Sequence, residues 1–450
     1  MEKAAQQQRL ADIAAHALAR AKHHGADAAD VIIVEGSAEN AGCRLSKWED
    51  IERSESQDMG LRVFIGQSQA NVSTTDFDLE DLDTLAERAV AMAKVSPEDP
   101  YCGLADPDRL AGDLPELELY DDTVLTTEQL RELAKEAEAA AWEVPGITNS
   151  LGASASAGYG GIVLATSDGF VGAYHSSSFS LSCAMVAGEG TTMERDYDYC
   201  TVRYLDDMDP AAEIGRTASD RALRRLNPKK ASSQAVPIIY DARVSGGLIS
   251  HLSSAISGTA ITRGTSMFKD AMGKKILCDG IMVLDDPHRI RGLRSKPFDG
   301  EGVANGKTEL IKDGVLQTWL LDSRCGRQLG LASTGHAGRG IGSPPTPSVT
   351  NLYMEPGSMT PEELIGGITN GFLVTDLIGM GVSTVTGDYS RGAAGFWIEN
   401  GEITHPVSEV TIAGNLKDMY LNMTPANDLK FRHGTDAPTI LVEGMTVAGT

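Results

Sequence analysis

Apolar residues recur every three or four positions in four stretches of the first half of the chain, the spacing of amphipathic helices. Residues that start or stop helices bound each stretch: a left-handed glycine, an acidic cap, a capping box and an Asp-Pro start. The predicted helices cover residues 10–21 with Gly25 beyond, 78–90 with Asp78 as the cap, 126–141 with a Thr126–Gln129 box, and 209–227 beginning at Asp209-Pro210.

Alternating apolar and polar residues fill most of the remaining first half and predict strands. Val31 to Val34 has the continuous apolar character of a buried strand, whereas residues 37–75 and 147–204 are short alternating runs broken by glycines. Residues 96–122 are rich in Pro, Asp and Glu and predict a surface connection. Residues 1–230 are therefore predicted to form an N-terminal α/β domain, with helices on a mostly antiparallel sheet.

The second half is dominated by strand and turn signals. A strand at Val236–Tyr240 leads into a predicted helix near Arg243–Ser257. Turn signals at 312–315 and 399–402 predict two hairpins. The Thr360–Glu363 capping box predicts one helix. Residues 231–450 are predicted to form a strand-rich barrel or sandwich-like C-terminal domain. The fold class of the whole chain is then α+β.

Composition narrows the classes of function. A net charge of −24 repels phosphate backbones, so direct binding to nucleic acid is not expected. No stretch approaches the roughly 20 apolar residues that cross a bilayer, so no membrane partner is expected. The six cysteines are scattered without a C-x-x-C pair, and the N-terminus lacks the pattern of a signal peptide. These features predict reduced thiols and a cytoplasmic location.

The common catalytic motifs are missing from the sequence. None of the nine histidines forms H-E-x-x-H, and His251 alone lies on the predicted helix that opens the second domain. No G-x-S-x-G occurs, although a serine–histidine pair from distant segments stays open. Residues 338–342 are glycine-rich, but no helix follows them, so they predict an extended or mobile loop and not a phosphate site.

The second half closely resembles the TldD/PmbA family, specifically its TldE (PmbA) branch. Several contiguous runs carry the resemblance: Phe298-Asp299-Gly300-Glu301-Gly302, Ser333-Thr334-Gly335, Thr350-Asn351-Leu352-Tyr353, Gly387-Asp388-Tyr389-Ser390, Gly392-Ala393-Ala394-Gly395-Phe396 and the run from Glu409 to Met419. The likeness is weaker in the first half, where Gly60-Leu61-Arg62-Val63 is the main match.

The resemblance implies a chain without its own metal site. In the TldD-like subunit of that family, an H-E-x-x-x-H helix and a later cysteine hold the metal. The matching helix here runs from Val244 to Gly258, has no glutamate, and has serines where the active branch has histidines. No cysteine follows Cys325. We therefore expect no catalytic residue and no metal in this chain, and zinc in its partner.

The expected role is a non-catalytic, substrate-guiding subunit of a cytoplasmic TldD–TldE-type zinc metallopeptidase that degrades or processes unfolded peptides. Its partner would be a TldD-like subunit, or a second copy of itself. Ser250, His251 and Ser254 are candidates for lining the peptide chamber. Extended peptide would lie along β edges of the second domain, unless those edges are capped. A homodimeric peptide-binding protein and an autonomous hydrolase stay open as alternatives.

Overall fold

The computed structural model describes residues 2–449. The helices are α1 Glu2–His23, α2 Leu79–Val95, α3 Thr127–Trp142, α4 Ala211–Arg224, α5 Ala242–Ala255, α6 Gly258–Thr262, α7 Ser323–Leu329, α8 Pro361–Gly366 and α9 Leu416–Leu421. The strands of the first half are β1 Ala28–Arg44, β2 Lys47–Ile65, β3 Ser68–Thr74, β4 Ile147–Thr166, β5 Val171–Ala187 and β6 Glu194–Val202. Those of the second half are β7 Gln234–Tyr240, β8 Val283–Asp285, β9 Thr308–Lys312, β10 Val315–Leu316, β11 Ala337–Gly338, β12 Thr346–Pro347, β13 Leu352–Met354, β14 Asn370–Val382, β15 Asp388–Glu399, β16 Glu402–Asn415, β17 Met423–Pro425, β18 Thr435–Asp436 and β19 Ile440–Ala448.

The first six strands form one antiparallel sheet in the order β3-β2-β1-β4-β5-β6. Side chains alternate along a strand, so Val31, Ile33, Ala41 and Cys43 of β1 share one face. The first two pack against α1 and α2, and the last two pack against α3 and α4. Two helix pairs thus cover the two ends of the same face, which confirms the predicted α/β arrangement of the first half.

A buried carboxylate holds the turn between β1 and β2. Leu45 and Ser46 occupy the left-handed region at φ 52° and 59° without being glycines. Glu138 of α3 accepts hydrogen bonds from both turn amides, at 2.8 and 2.9 Å, and from the Ser150 hydroxyl at 2.5 Å. The glutamate therefore fixes a turn conformation that the turn residues do not favour on their own.

Replacing Glu138 by alanine is expected to lower the free energy of unfolding by about 2–3 kcal/mol, because two amides and a hydroxyl lose their buried acceptor. Urea unfolding followed by circular dichroism measures the change. Glu136→Ala, on the exposed side of the same helix, is the control and should have little effect. Equal stability of the two variants would show that the Glu138 hydrogen bonds do not stabilise the turn.

Five strands of the second half close into a barrel. The sheet order β16-β15-β14-β7-β19 is completed by pairing of Thr411–Ala413 with Thr446–Ala448. The α+β class is confirmed, and of the predicted barrel or sandwich the structure has a barrel. A smaller sheet, β10-β9-β8-β13-β18, lies beside it. The boundary predicted between residues 230 and 231 falls between α4 and β7, and the two-domain division stays a prediction.

The segment predicted as a surface connection is largely exposed and also contacts the second half. Residues 96–122 contain only one short 3₁₀ turn, Pro107–Arg109, but Leu117 and Leu119 are buried. The Ala111 amide donates to the Gly302 carbonyl at 2.8 Å, and the Ala304 amide donates to the Arg109 carbonyl at 2.9 Å. The connection therefore joins the two halves of the chain through main-chain hydrogen bonds.

The glycine-rich loop at 338–342 is also a contact between the halves. Arg339 is buried and donates to Asp30 of β1 at 2.6 Å, and Arg62 of β2 donates to the same carboxylate at 2.8 Å. A Cβ at Gly60 would lie 2.1 Å from the Ile341 carbonyl oxygen, so only glycine permits this approach. The loop follows the short strand β11, bends from Ile341 onward, and is fixed at Arg339 by a buried ion cluster.

Candidate functional site

Helix α5 begins immediately after the barrel strand β7. The Asp241 side chain caps it by accepting from the Arg243 amide at 2.9 Å. Leu248, Ile249 and Leu252 are buried in the barrel core. Helical spacing therefore leaves the intervening positions on the outer face, and those positions include the serines singled out from the sequence.

The three candidate residues do not point to one place. Ser250 and Ser254 are exposed and lie one turn apart, with the Ser254 hydroxyl donating to the Ser250 carbonyl at 3.0 Å. His251 is half-buried and packs edge-on against Tyr389, with ring centroids 6.1 Å apart. The helix therefore directs the serines outward and the histidine toward strand β15.

A hydroxyl-rich cleft adjoins the C-terminal end of α5. Its volume is about 400 Å³, and of the three candidates it includes Ser254 alone. The lining residues are Ser253, Ser254, Ser257, Thr259, Ala260, Arg263, Thr265, Leu320, Pro347, Ser348 and Val349. The lining has no carboxylate, imidazole or thiol. It offers hydroxyl groups as hydrogen-bonding partners, but no lining carboxylate or imidazole could act as the general base that a serine or threonine nucleophile needs.

The α5 region does not fit a zinc ion. Zinc sites use imidazole, thiolate and carboxylate ligands, whereas the outer face of α5 presents the hydroxyls of Ser250, Ser253 and Ser254 and has His251 as its one histidine. Burial, followed by the nearby Arg391 charge, lowers the pKa of His251, and the same charge would repel a metal cation. Within residues 2–449 there is no group of three or more His, Cys, Asp and Glu side chains that could hold a metal ion.

One strand beside α5 has an unpaired edge. Strand β14 pairs with β7 only through Phe372–Val374 and continues to Val382 beside β15 alone, with an irregular register between Ile378 and Gly381. Within this stretch the Ile378 carbonyl accepts from Arg391 at 3.3 Å. Ile378 and Met380, which are 65% and 87% exposed, lie on this extension. An edge of this kind offers main-chain hydrogen bonds to an extended peptide.

The outer edge of β6, by contrast, is capped. The carbonyls of Tyr197 and Tyr199 accept from Arg221 at 3.0 Å and from Arg432 at 3.4 Å. The sequence prediction of a peptide-binding edge concerned the second half, so the edge of β6, in the first half, does not test it. The open edge of β14 belongs to the second half and lies next to α5.

Sequence reasoning missed two residues that shape this region, Tyr389 and Arg391 of β15. Tyr389 is buried between His251 and Tyr240, with ring centroids 6.1 and 6.5 Å away. Both residues lie in or directly after the Gly387–Ser390 run that carries the family resemblance, so that run was the available signal. Their position beside a helix some 140 residues earlier depends on the barrel and is not a local property.

Family models match the chain over most of its length. Residues 29–93, 120–226 and 233–449 match, in order, domain 1, the central domain and the C-terminal domain of the PmbA/TldA metallopeptidases. These regions contain nearly all of the antiparallel sheet, the helices α2, α3 and α4, and the barrel, whereas α1 precedes the first matched region. The fold and these matches show that the chain has the domain architecture of the PmbA/TldA metallopeptidases.

The chain belongs to the PmbA/TldD family, within its PmbA (TldE) branch. It is 38% identical to the metalloprotease PmbA homolog of Haemophilus influenzae, over 99% of this chain and 97% of that one. It is also 38% identical to metalloprotease PmbA of Escherichia coli, over 94% of this chain and 92% of that one. A metalloprotease TldD homolog of Buchnera aphidicola is 25% identical over 66% of this chain and 68% of that one.

Solved structures share the whole fold. A protein from Bacteroides thetaiotaomicron, named as a modulator of DNA gyrase, superposes with a TM-score of 0.90 at 28% identity, over 98% of each chain. TldE from Thermococcus kodakarensis superposes with a TM-score of 0.87 at 21% identity, over 96% of this chain and 99% of that one. None of the helices described for our chain is long and apolar enough to cross a membrane.

Proposed function

We propose that this chain is the non-catalytic, peptide-guiding subunit of a cytoplasmic TldD–TldE-type zinc metallopeptidase. A TldD-like subunit supplies the zinc and the catalytic residues, and this chain supplies part of the surface along which an unfolded peptide lies. Ser250, His251 and Ser254 face or support that surface. None of them takes part in bond cleavage.

One observation carries the proposal: a helix with no zinc-binding donor set lies beside an open strand edge. The edge of β14 from Asp376 to Val382 offers hydrogen bonds that depend on the peptide backbone and not on its side chains. Ser254 lines a cleft of about 400 Å³ next to this helix. Together these features support holding a peptide without cutting it.

The family relationships support the identity of the partner. The family includes proteins named PmbA, TldE and TldD, and the chain is similar to all three. The exposed Ile378, Met380 and Val385 at the end of the β14–β15 hairpin offer apolar surface to such a partner or to its peptide. The six free thiols are consistent with a reducing cytoplasm.

The first test compares the isolated chain with its complex. Purified alone, the chain should contain close to no zinc and should not cleave an unfolded peptide. Mixed with a TldD-like subunit from the same organism, it should give peptide hydrolysis that a chelator abolishes. Metal analysis and a fluorescent peptide assay measure both. A tightly held metal in the isolated chain, or cleavage by it alone, would contradict the proposal.

A second test changes the cleft. Ser254→Arg places a long side chain in the cleft and is expected to lower kcat/KM of the complex by about tenfold or more, since misplaced substrate reacts slowly. Thr84→Arg, on the exposed face of α2, is the matched control. Like the Ser254 hydroxyl, the Thr84 hydroxyl donates to the carbonyl four residues earlier, at 3.2 Å. Partner binding should be unchanged in both variants. Full activity of Ser254→Arg would remove the cleft from the peptide path.

A further inference from the structure

Arginines gather in a second cleft, on the boundary between the two halves of the chain. The cleft has a volume of about 340 Å³ and lies between the end of β6 and the loops at 289–293 and 431–436. Arg203, Arg289, Arg291 and Arg432 line it, against two carboxylates, Asp207 and Asp436. Such an excess of positive charge is unexpected by chance in a chain of net charge −24.

Arg203 is a partly buried cation without a carboxylate partner among the described residues. Its guanidinium donates to the Ser177 carbonyl at 2.8 Å, to the Gly292 carbonyl at 3.4 Å and to the Leu293 carbonyl. Among the residues that the structure describes, no carboxylate lies within ion-pair distance of it. Burial lowers the pKa of Arg203. A buried charge of this kind is costly unless an opposite charge approaches it.

Arg289 is the second arginine without a carboxylate partner in the described part of the chain. Its guanidinium lies over the Phe431 ring, 3.3 Å from the centroid, which leaves its N–H groups able to donate at the ring's periphery. Stacking on an aromatic ring holds an arginine in one orientation, so less entropy is lost when it binds a ligand.

The other charges of the cleft are already paired. Arg291 contacts Asp207 at 3.1 Å and Glu118 at 2.8 Å, and Arg432 contacts Asp209 at 3.0 Å. The Asp436 carboxylate accepts three successive main-chain amides, those of residues 432, 433 and 434. The arginines of this cleft that lack a carboxylate partner among the described residues are therefore Arg203 and Arg289.

We propose that this cleft binds an oxyanion, a phosphate or carboxylate group of a small molecule, through Arg203 and Arg289. Two guanidinium groups can donate several charge-assisted hydrogen bonds to one such group. The volume is at the small end of the range for ligand sites. Because both halves of the chain line the cleft, a bound anion also joins them. This site is separate from the α5 cleft and independent of the peptide-guiding role.

The experiment titrates the full chain with inorganic phosphate by calorimetry at low ionic strength. One saturable site is expected, and Arg289→Gln should weaken binding by about tenfold, the loss of roughly one charge-assisted hydrogen bond. Arg88→Gln, which removes the same charge from exposed α2, is the control and should bind as the unmodified chain does. Arg289 donates no hydrogen bond to the described protein, so its replacement is compatible with folding.

Succinate, titrated in parallel, distinguishes the source of the oxyanion. Tighter phosphate binding assigns the site to a phosphate-bearing molecule, and tighter succinate binding assigns it to a carboxylate. No saturable binding of either anion, or equal loss in the Arg289 and Arg88 variants, would overturn the proposal. The peptide assays with Ser254→Arg do not involve this cleft, so the two proposals can fail separately.

Discussion

Replacing Asp30 by asparagine is expected to lower the free energy of unfolding by about 3–5 kcal/mol. Its carboxylate is the only acid that both Arg62 and Arg339 contact among the described residues, and all three side chains are buried. Asparagine has nearly the same shape but no charge. Two arginines would then remain in a low-dielectric environment without the carboxylate to which both donate, which is the costly way to break a buried ion cluster. Glu301 and Asp322 lie near Arg62 but do not replace that contact.

Chemical unfolding at neutral pH measures this change. Asp220→Asn, on the exposed side of α4, removes the same charge and is the matched control, expected within about 0.5 kcal/mol of the unmodified chain. A loss below about 1 kcal/mol for Asp30→Asn would mean that water reaches the two arginines and replaces the carboxylate. The variant should also loosen the 338–342 loop, which limited proteolysis would detect.

The pH dependence of the Asp30 contribution follows from its pKa. Burial alone would raise this pKa, but Arg62 and Arg339 outweigh burial and hold it below its ordinary value. The contribution is therefore fully present above about pH 4, the ordinary pKa of an aspartate, and is lost as the pH falls through the lower pKa of the folded state. Asp30→Asn should remove this acid-side loss.

Replacing Glu301 by glutamine is expected to have the opposite sign and to stabilise the protein at about pH 8 by about 3 kcal/mol. Burial, and next the neighbouring Asp299 carboxylate, raise the pKa of Glu301 to about 7. The folded chain holds this proton while the unfolded chain releases it near the ordinary value. Stability therefore falls as the pH rises from about 4.5 to about 7. Glutamine keeps an acceptor for the Ser323 amide and carries no charge.

Thermal unfolding between about pH 4 and pH 8 tests this difference. The unmodified chain and Glu301→Gln should have similar stability near pH 4 and should diverge steadily up to about pH 7. Glu443→Gln, which changes an exposed glutamate of β19, serves as the control. Its stability should vary with pH as that of the unmodified chain does. Parallel curves for the unmodified chain and Glu301→Gln would show that folding does not raise the pKa of Glu301.

Local signals in the sequence predicted local structure well. The capping boxes of Thr126 with Gln129 and of Thr360 with Glu363 are confirmed, because a cap depends on residues three positions apart. The helix predicted to start at Asp209-Pro210 begins at Ala211, with Pro210 in the capping position and no side-chain hydrogen bond there. The difference is small because neighbouring residues determine where a helix begins.

Contacts between distant segments could not be predicted in the same way. Nothing near Arg339 in the sequence indicates that it meets Asp30, 309 positions earlier. The choice between barrel and sandwich depended on three residue pairs between β16 and β19. In the candidate site, the sequence placed Ser250, His251 and Ser254 on one helix, but whether they share one surface depends on Tyr389, which the barrel brings to His251. Their role in binding peptide stays a prediction.

The closure of the barrel sets the order in which the protein can fold during synthesis. Tyr240 of β7 bonds to Met445 of β19, 205 positions later, and the other neighbour of β7, strand β14, is also made long after it. At bacterial rates of roughly 5–20 residues per second, β7 waits on the order of ten seconds or more for β19. The antiparallel sheet of the first half has all its strands once β6 is made, which is before β7 is synthesised. We therefore expect the nascent chain to leave the ribosome with its first sheet formed and an apolar strand uncovered, the state in which chaperones are most needed.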